Sequence, residues 1–278
     1  MRFGDIEVHV ISDGTFKLDA GAIFGVVPKT LWQRKVKADR RNRLQMGLNC
    51  MLIQSNGRNI LVDTGVGKKE PDRVKDIYGL SAGKILRRLK EHGIGPRDID
   101  LVVLSHLHFD HVGGCTRFNP KGEVVPTFPK AKYLVQRADW DEATHPNERN
   151  RAAYHPDDFE PLLFSKQLEL LDGDTEVEKG VDAVLTGGHS AGHQIIMAGT
   201  NQRKAVITGD LVATSHHLPL PYIPAFDLFP MESMERKRKL LEEAERLGWL
   251  LIFSHDPETV AGYVESRGGR VTLKPVKV

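Results

Sequence analysis

Ser105–Gly114 reads SHLHFDHVGG, which puts three histidines and one aspartate within six residues of a chain that has twelve histidines in all. The stretch follows DIDLVVLS (Asp98–Ser105), a short apolar run suited to a buried strand. It closes on Gly113 and Gly114, which let the backbone bend sharply. His106 and His108 are two apart, so at a strand end both side chains lie on one side and can hold one ion. Asp110 and His111 follow as the chain turns, and they point elsewhere. Imidazole nitrogens and carboxylate oxygens are ligands for zinc, iron or manganese. An H-x-H-x-D-H match arises by chance on the order of one time in a thousand, so the cluster is read as a metal site rather than as scattered surface histidines.

A composite site needs partners from other strand ends. VLTGGHSAGHQ (Val184–Gln194) offers His189 and His193, VITGDLVA (Val206–Ala213) offers Asp210, and LLIFSHDPE (Leu250–Glu258) offers His255. Each follows a short apolar run, the arrangement that brings distant segments to one rim of a sheet.

With these pieces in this order, and with ILVDTG (Ile60–Gly65) before them, the chain resembles the metallo-β-lactamase-fold hydrolases from Ile6 to about Pro257. The resemblance implies an α+β fold, an αββα sandwich of two mixed β-sheets packed face to face with helices on the outer faces. It implies that His106, His108 and His193 hold one metal ion, that Asp110, His111 and His255 hold a second, and that Asp210 bridges both. On this reading His189 stays outside the ligand set, and Asp63 orients a ligand histidine by accepting its other N–H. The implied cofactors are two divalent metal ions, with zinc first and iron, manganese or cobalt as alternatives. A hydroxide bridging two such ions would cleave a small-molecule lactone, ester or phosphoester, with Asp110 and Asp210 as the catalytic carboxylates.

The rest of the chain fits one domain over residues 1–278. IEVHVI alternates, with Ile6, Val8 and Val10 on one face, and Asp13-Gly14 reads as a hairpin turn before TFKL. A loop-rich segment at about 19–46 carries Phe24, Trp32 and the basic run Arg34–Arg43. A second hairpin is predicted over Leu48–Asp63, and a helix capped by Ser81 with Ile85, Leu86 and Leu89 on its apolar face. Later strands are predicted at KYLVQ, DAVLTG, IIMAGT, KAVITG and LLIFS. Helices are predicted around Asp139–Thr144, Asp157–Gln167 and Glu232–Leu247.

Net charge is +2, so no strong field draws the chain to nucleic acid or to a membrane surface. No apolar run approaches a membrane span, and the first residues lack a signal-peptide pattern. Two cysteines, Cys50 and Cys115, suit a reducing cytoplasm. The expected partner is a small-molecule substrate, and by resemblance the chain is a homodimer.

Within the family the chain is most similar to the acyl-homoserine-lactonase and organophosphate-hydrolase branch. The true zinc β-lactamases it resembles carry cysteine where Asp210 stands. It departs from the lactonases at Ala213, where they carry tyrosine, leaving Tyr222, His216 or His217 as candidates for that role. Phe24, Trp32, Met46 and Tyr222, with Leu218, are the residues expected to line an apolar substrate pocket. Two other chemistries share nearly this ligand set: a glyoxalase-II-type thioesterase, and a mononuclear iron persulfide dioxygenase.

Overall fold

The apolar run before the histidine motif forms a short central strand, Leu101–Val103, parallel to Arg58–Val62 on one side and Lys132–Gln136 on the other. The computed structural model describes residues 1–200 and 203–278. Around that strand a seven-stranded mixed sheet runs in the order Arg2–Phe3, Ile6–Asp19, Arg43–Ser55, Arg58–Val62, Leu101–Val103, Lys132–Gln136, Leu168–Leu171. A second sheet of seven runs Thr175–Glu178, Val181–Leu185, Gln194–Ala198, Ala205–Ile207, Leu250–Ile252, Ala261–Arg267, Arg270–Val276.

The two sheets pack face to face. Val8, Ile53, Val62 and Val103 from the first interlock with Ala183, Ile196, Ile207 and Ile252 from the second in one buried core. Burying each such branched side chain is worth roughly 1.5–3 kcal/mol. Helices cover the outer faces. Ile85 and Leu89, with Phe159 and Leu162 of the helix Pro156–Phe164, close the first sheet. Leu240, Leu241 and Ala244 of Pro230–Leu247 close the second. This is the αββα sandwich that the family resemblance implies.

Three local expectations change. Asp13-Gly14 makes no hairpin: Ile6–Asp19 is one strand of 14 residues, with a register shift between Ser12 and Gly14 against its partner. The bulge turns Asp13 inward, where its carboxylate accepts the amides of Gly67, Gly83, Lys84 and Ile85 at 2.7–3.1 Å. The helix Ile85–Glu91 is therefore started by Asp13 and not by Ser81, a long-range cap that local sequence does not signal. The strand after the loop-rich segment begins at Arg43, ahead of Leu48, because Leu44 and Met46 already point into a buried apolar cluster. Among the described residues, no helix is long and apolar enough to cross a membrane.

Asp13 supplies a prediction. Asp13→Ala leaves the amides of Gly67, Gly83 and Ile85 without an acceptor, while the Lys84 amide keeps the Asp13 carbonyl at 3.1 Å, and should destabilise the fold by about 2–3 kcal/mol, read as the shift in a urea midpoint. A loss below about 1 kcal/mol would show that this cap carries little.

Candidate metal centre

Loops at one rim of the sandwich carry the chemistry. The segment after Val103 delivers His106 and His108, and the short helix Phe109–Val112 delivers Asp110 and His111. The loop before Gln194, the turn after Ile207 and the loop after Ile252 bring His189, Asp210 and His255. All seven side chains are buried.

Two groups result. Ligand atoms of His106, His108, His189 and Asp210 lie within 4.8 Å of one another, as do those of Asp110, His111 and His255. Asp210 faces both groups: its Oδ2 is 3.1 Å from His189 Nε2, while its Oδ1 is 2.9 Å from His255 Nε2 and 3.5 Å from His111 Nε2.

The outer ring nitrogens are occupied by protein. His106 Nδ1 meets Ser105 Oγ at 3.1 Å, His111 Nδ1 meets Asp63 Oδ2 at 2.8 Å, His189 Nδ1 meets Asp227 Oδ1 at 2.9 Å, and His255 Nδ1 meets the Gly47 carbonyl at 2.9 Å. Each such bond fixes the ring and leaves the opposite nitrogen as a lone-pair donor. Those inner nitrogens converge: His111 Nε2 and His255 Nε2 are 3.0 Å apart, and so are His189 Nε2 and His108 Nδ1. His106 Nε2 is buried with no hydrogen-bond partner among the described residues. Lone pairs aimed at one another in a buried space are what a cation would satisfy, so this donor set fits divalent metal ions.

The electrostatics divide the rings: burial keeps some neutral, while nearby carboxylates, Asp63 and Asp210 among them, draw protons toward His111, His189 and His255. Burial, then the neighbouring rings, holds His106 and His108 well below the ordinary histidine value, the neutral form a ligand needs. Burial alone would lift Asp210, but His255, His189 and His111 outweigh it and hold the carboxyl well below its usual range. For His189, burial pulls down while Asp210 and Asp227 pull up harder, to about 9.

The expected ligand His193 stands apart. Its Nε2 accepts the Asp210 amide at 3.0 Å and its Nδ1 meets Thr186 Oγ1 at 2.6 Å, so both ring nitrogens are already satisfied. It sits so close beneath Gly209 that a Cβ there would lie 2.4 Å from its Nε2. His189 occupies the place expected of His193: the first histidine of GHSAGH faces the cluster, and the second holds the backbone that presents Asp210. Asp63 is where it was expected, against His111 and the Ser105 amide. Asp227 and Asp139 carry no site signal in the sequence. Asp227 orients His189, and buried Asp139 joins the Leu107 amide to Ser190 Oγ. Neither lies in a recognisable pattern, and only the fold brings them here.

A cavity of about 350 Å³ opens onto the cluster. His108, Asp110, His189, Asp210 and His255 form its floor, and Leu18, Ile23, Phe109, Ala213, Phe226 and Leu228 contribute apolar walls. Phe24, Trp32, Met46 and Tyr222 do not line it. Phe24 stacks between Trp32 at 5.4 Å and His217 at 5.1 Å, with Tyr222 edge-on at 5.8 Å, and Phe24 and Met46 line a separate cavity with His216 and His217. His217 is committed to Thr214 Oγ1 and the Ile23 carbonyl. The tyrosine that lines the cavity is Tyr78, whose ring packs on Phe109 at 5.2 Å.

Asp63→Ala should weaken metal affinity by about 10–100-fold, because His111 loses the partner that fixes its ring. Competition with a chromophoric chelator measures it, and wild-type affinity would deny Asp63 that role.

Comparison with known proteins follows the same line. Residues 45–255 match the family model described as the metallo-beta-lactamase superfamily. An N-acyl homoserine lactonase of Bacillus thuringiensis is 28% identical over 231 residues, spanning 77% of this chain and 83% of that protein. A solved structure described as a probable metal-dependent hydrolase from Staphylococcus aureus matches with a TM-score of 0.90 at 31% identity, over 100% of both chains. An N-acyl homoserine lactone hydrolase, solved with N-hexanoyl-L-homoserine at its catalytic metal centre, matches with a TM-score of 0.69 at 25% identity, over 90% of this chain and 93% of that one.

Proposed function

We propose, for a chain that belongs to the metallo-beta-lactamase superfamily, the hydrolysis of small lactones or esters that carry an apolar group, at a centre of two divalent ions. That the chain is a metal-dependent hydrolase follows from its family and its likeness to hydrolases along its whole length. The observation that carries the finer reading is the convergence of inner ring nitrogens on both oxygens of Asp210, at the floor of an apolar cavity.

His106, His108, His189 and Asp210 Oδ2 would hold one ion, and Asp110, His111, His255 and Asp210 Oδ1 the other. Zinc or a similar ion there supplies Lewis acidity toward a substrate oxygen and lowers the pKa of water. The protein's own groups do the rest. Asp110 lies on the cavity floor, placed to take a proton from the attacking water and return it to the leaving alkoxide. Burial, then the charges of Asp110 and Glu70, raises the Tyr78 phenol, which stays protonated at neutral pH as a hydrogen-bond donor toward the substrate. Ala213, small at the cavity wall, leaves room for the substituent. The lactone preference draws on the named activity of the relatives at 28% identity.

A panel of N-acyl homoserine lactones, aryl esters, thioesters and phosphotriesters, run with and without chelator, tests this. Lactones should give the highest kcat/KM, chelation should abolish turnover and added zinc should restore it. Thioester cleavage without lactone cleavage, or oxygen uptake with a persulfide, would overturn it.

A further inference from the structure

Outside the histidine cluster, a second set of ligating side chains gathers behind Phe109. Glu70, His155 and Asp158 present ligand atoms that all lie within 4.8 Å of one another. The set joins the loop after Arg58–Val62 to the start of the helix Pro156–Phe164. His155 Nδ1 is 2.9 Å from Glu70 Oε1 and 4.0 Å from Asp158 Oδ2. Donors about 2.0–2.2 Å from a tetrahedral ion sit roughly 3.3–3.5 Å apart, and these two separations bracket that value. They also match the spacing within Asp110, His111 and His255, where the contacts run 3.0, 3.6 and 4.0 Å.

Lys69 is the obvious alternative partner, yet it leaves one oxygen over. Its ammonium donates to Asp158 Oδ1 at 2.9 Å, to the Thr116 carbonyl at 3.0 Å and to the Gly113 carbonyl, which uses all three protons. Asp158 Oδ2 has no hydrogen-bond partner among the described residues, although the carboxylate is only 2% exposed. A proton on His155 Nδ1 would satisfy Glu70 at 2.9 Å and leave that oxygen unpaired at 4.0 Å. Glu70 is also buried, while the His155 side chain is 32% exposed, so solvent reaches the set along the imidazole.

We propose that Glu70, His155 and Asp158 form a separate divalent-cation site: one imidazole nitrogen and two carboxylate oxygens, suited to zinc or manganese, with solvent able to complete the shell. The site is structural. It clamps the 66–70 loop to the helix Pro156–Phe164 and fixes the His155 ring, which stacks on Phe109 at 5.1 Å, behind a wall of the substrate cavity. It is independent of the proposed substrate and shares no ligand with the histidine cluster.

The test is the metal content of the full-length protein, equilibrated with excess zinc and gel-filtered, for the wild type and for His155→Gln. The expected result is one ion fewer per chain in the variant, and equal content would overturn the proposal. Crystals of the wild-type protein grown with zinc and measured at the zinc edge decide the question even if the variant fails to fold. An anomalous peak bounded by Glu70, His155 and Asp158 supports the site, and no peak there overturns it. Peaks among His106–His255 report separately on the proposed hydrolytic centre.

Discussion

Asp210→Ala is expected to lower kcat/KM by at least about three orders of magnitude and to release at least one metal ion per chain. Asp210 is the one carboxylate whose two oxygens face different ligand groups, at 3.1 Å from His189 on one side and 2.9 Å from His255 on the other. Its removal leaves each group short of an anionic ligand. It also leaves buried imidazoles facing one another with no charge between them. Burial pulls His189 and His255 down, and the Asp210 carboxylate is the strongest influence raising them. The loss is one of ligation and not of folding, because the two-sheet core lies away from this rim. Metal analysis beside circular dichroism separates the two effects. A folded Asp210→Ala protein with full activity and full metal content would refute the assignment.

The second large effect distinguishes the two histidines of GHSAGH. His189→Ala should remove a ligand and cost at least about 100-fold in kcat/KM, together with metal. His193→Ala should keep both ions of the cluster bound. It removes the acceptor of the Asp210 amide and the partner of Thr186, so its cost should appear mainly as about 1–3 kcal/mol of stability. Burial, with His189 next, pushes His193 down to about 3, so it is neutral at any working pH and serves as a hydrogen-bonding strut. The reverse pattern, with metal lost from His193→Ala and kept in His189→Ala, would show that the rings exchange places when ions bind.

That pair also marks how far the sequence could be read. The family resemblance carried by the motifs implied the sandwich, and apolar runs located its inner strands, because residues buried on both faces read as continuous runs. Six of the seven side chains that face the two ligand groups were legible in the same way, since each follows a strand end. The choice between His189 and His193 was not legible, as four residues in a loop permit either ring to face inward. Ala261–Arg267 and the edge strand Arg270–Val276 escaped because their mixed, partly exposed residues lack a clear period. Asp13 imitates a turn signal, and only the fold shows it capping a helix 72 residues away. The pocket was misplaced for a related reason. Phe24 and Trp32 read as substrate contacts, but large aromatics in an aperiodic segment pack on one another as readily as on a ligand, and here they stack on each other outside the cavity over the histidine cluster.

The proposed centre places two ions among His106, His108, Asp110, His111, His189, Asp210 and His255, with Asp210 shared between them. The most direct measurement is an anomalous difference map at the zinc edge from crystals of the zinc-loaded protein. Two peaks are expected within this cluster, one on each side of the Asp210 carboxylate, with His189 Nε2 bound and His193 still on the Asp210 amide. A single peak there, or a peak bonded to His193 with His189 turned away, would contradict this arrangement.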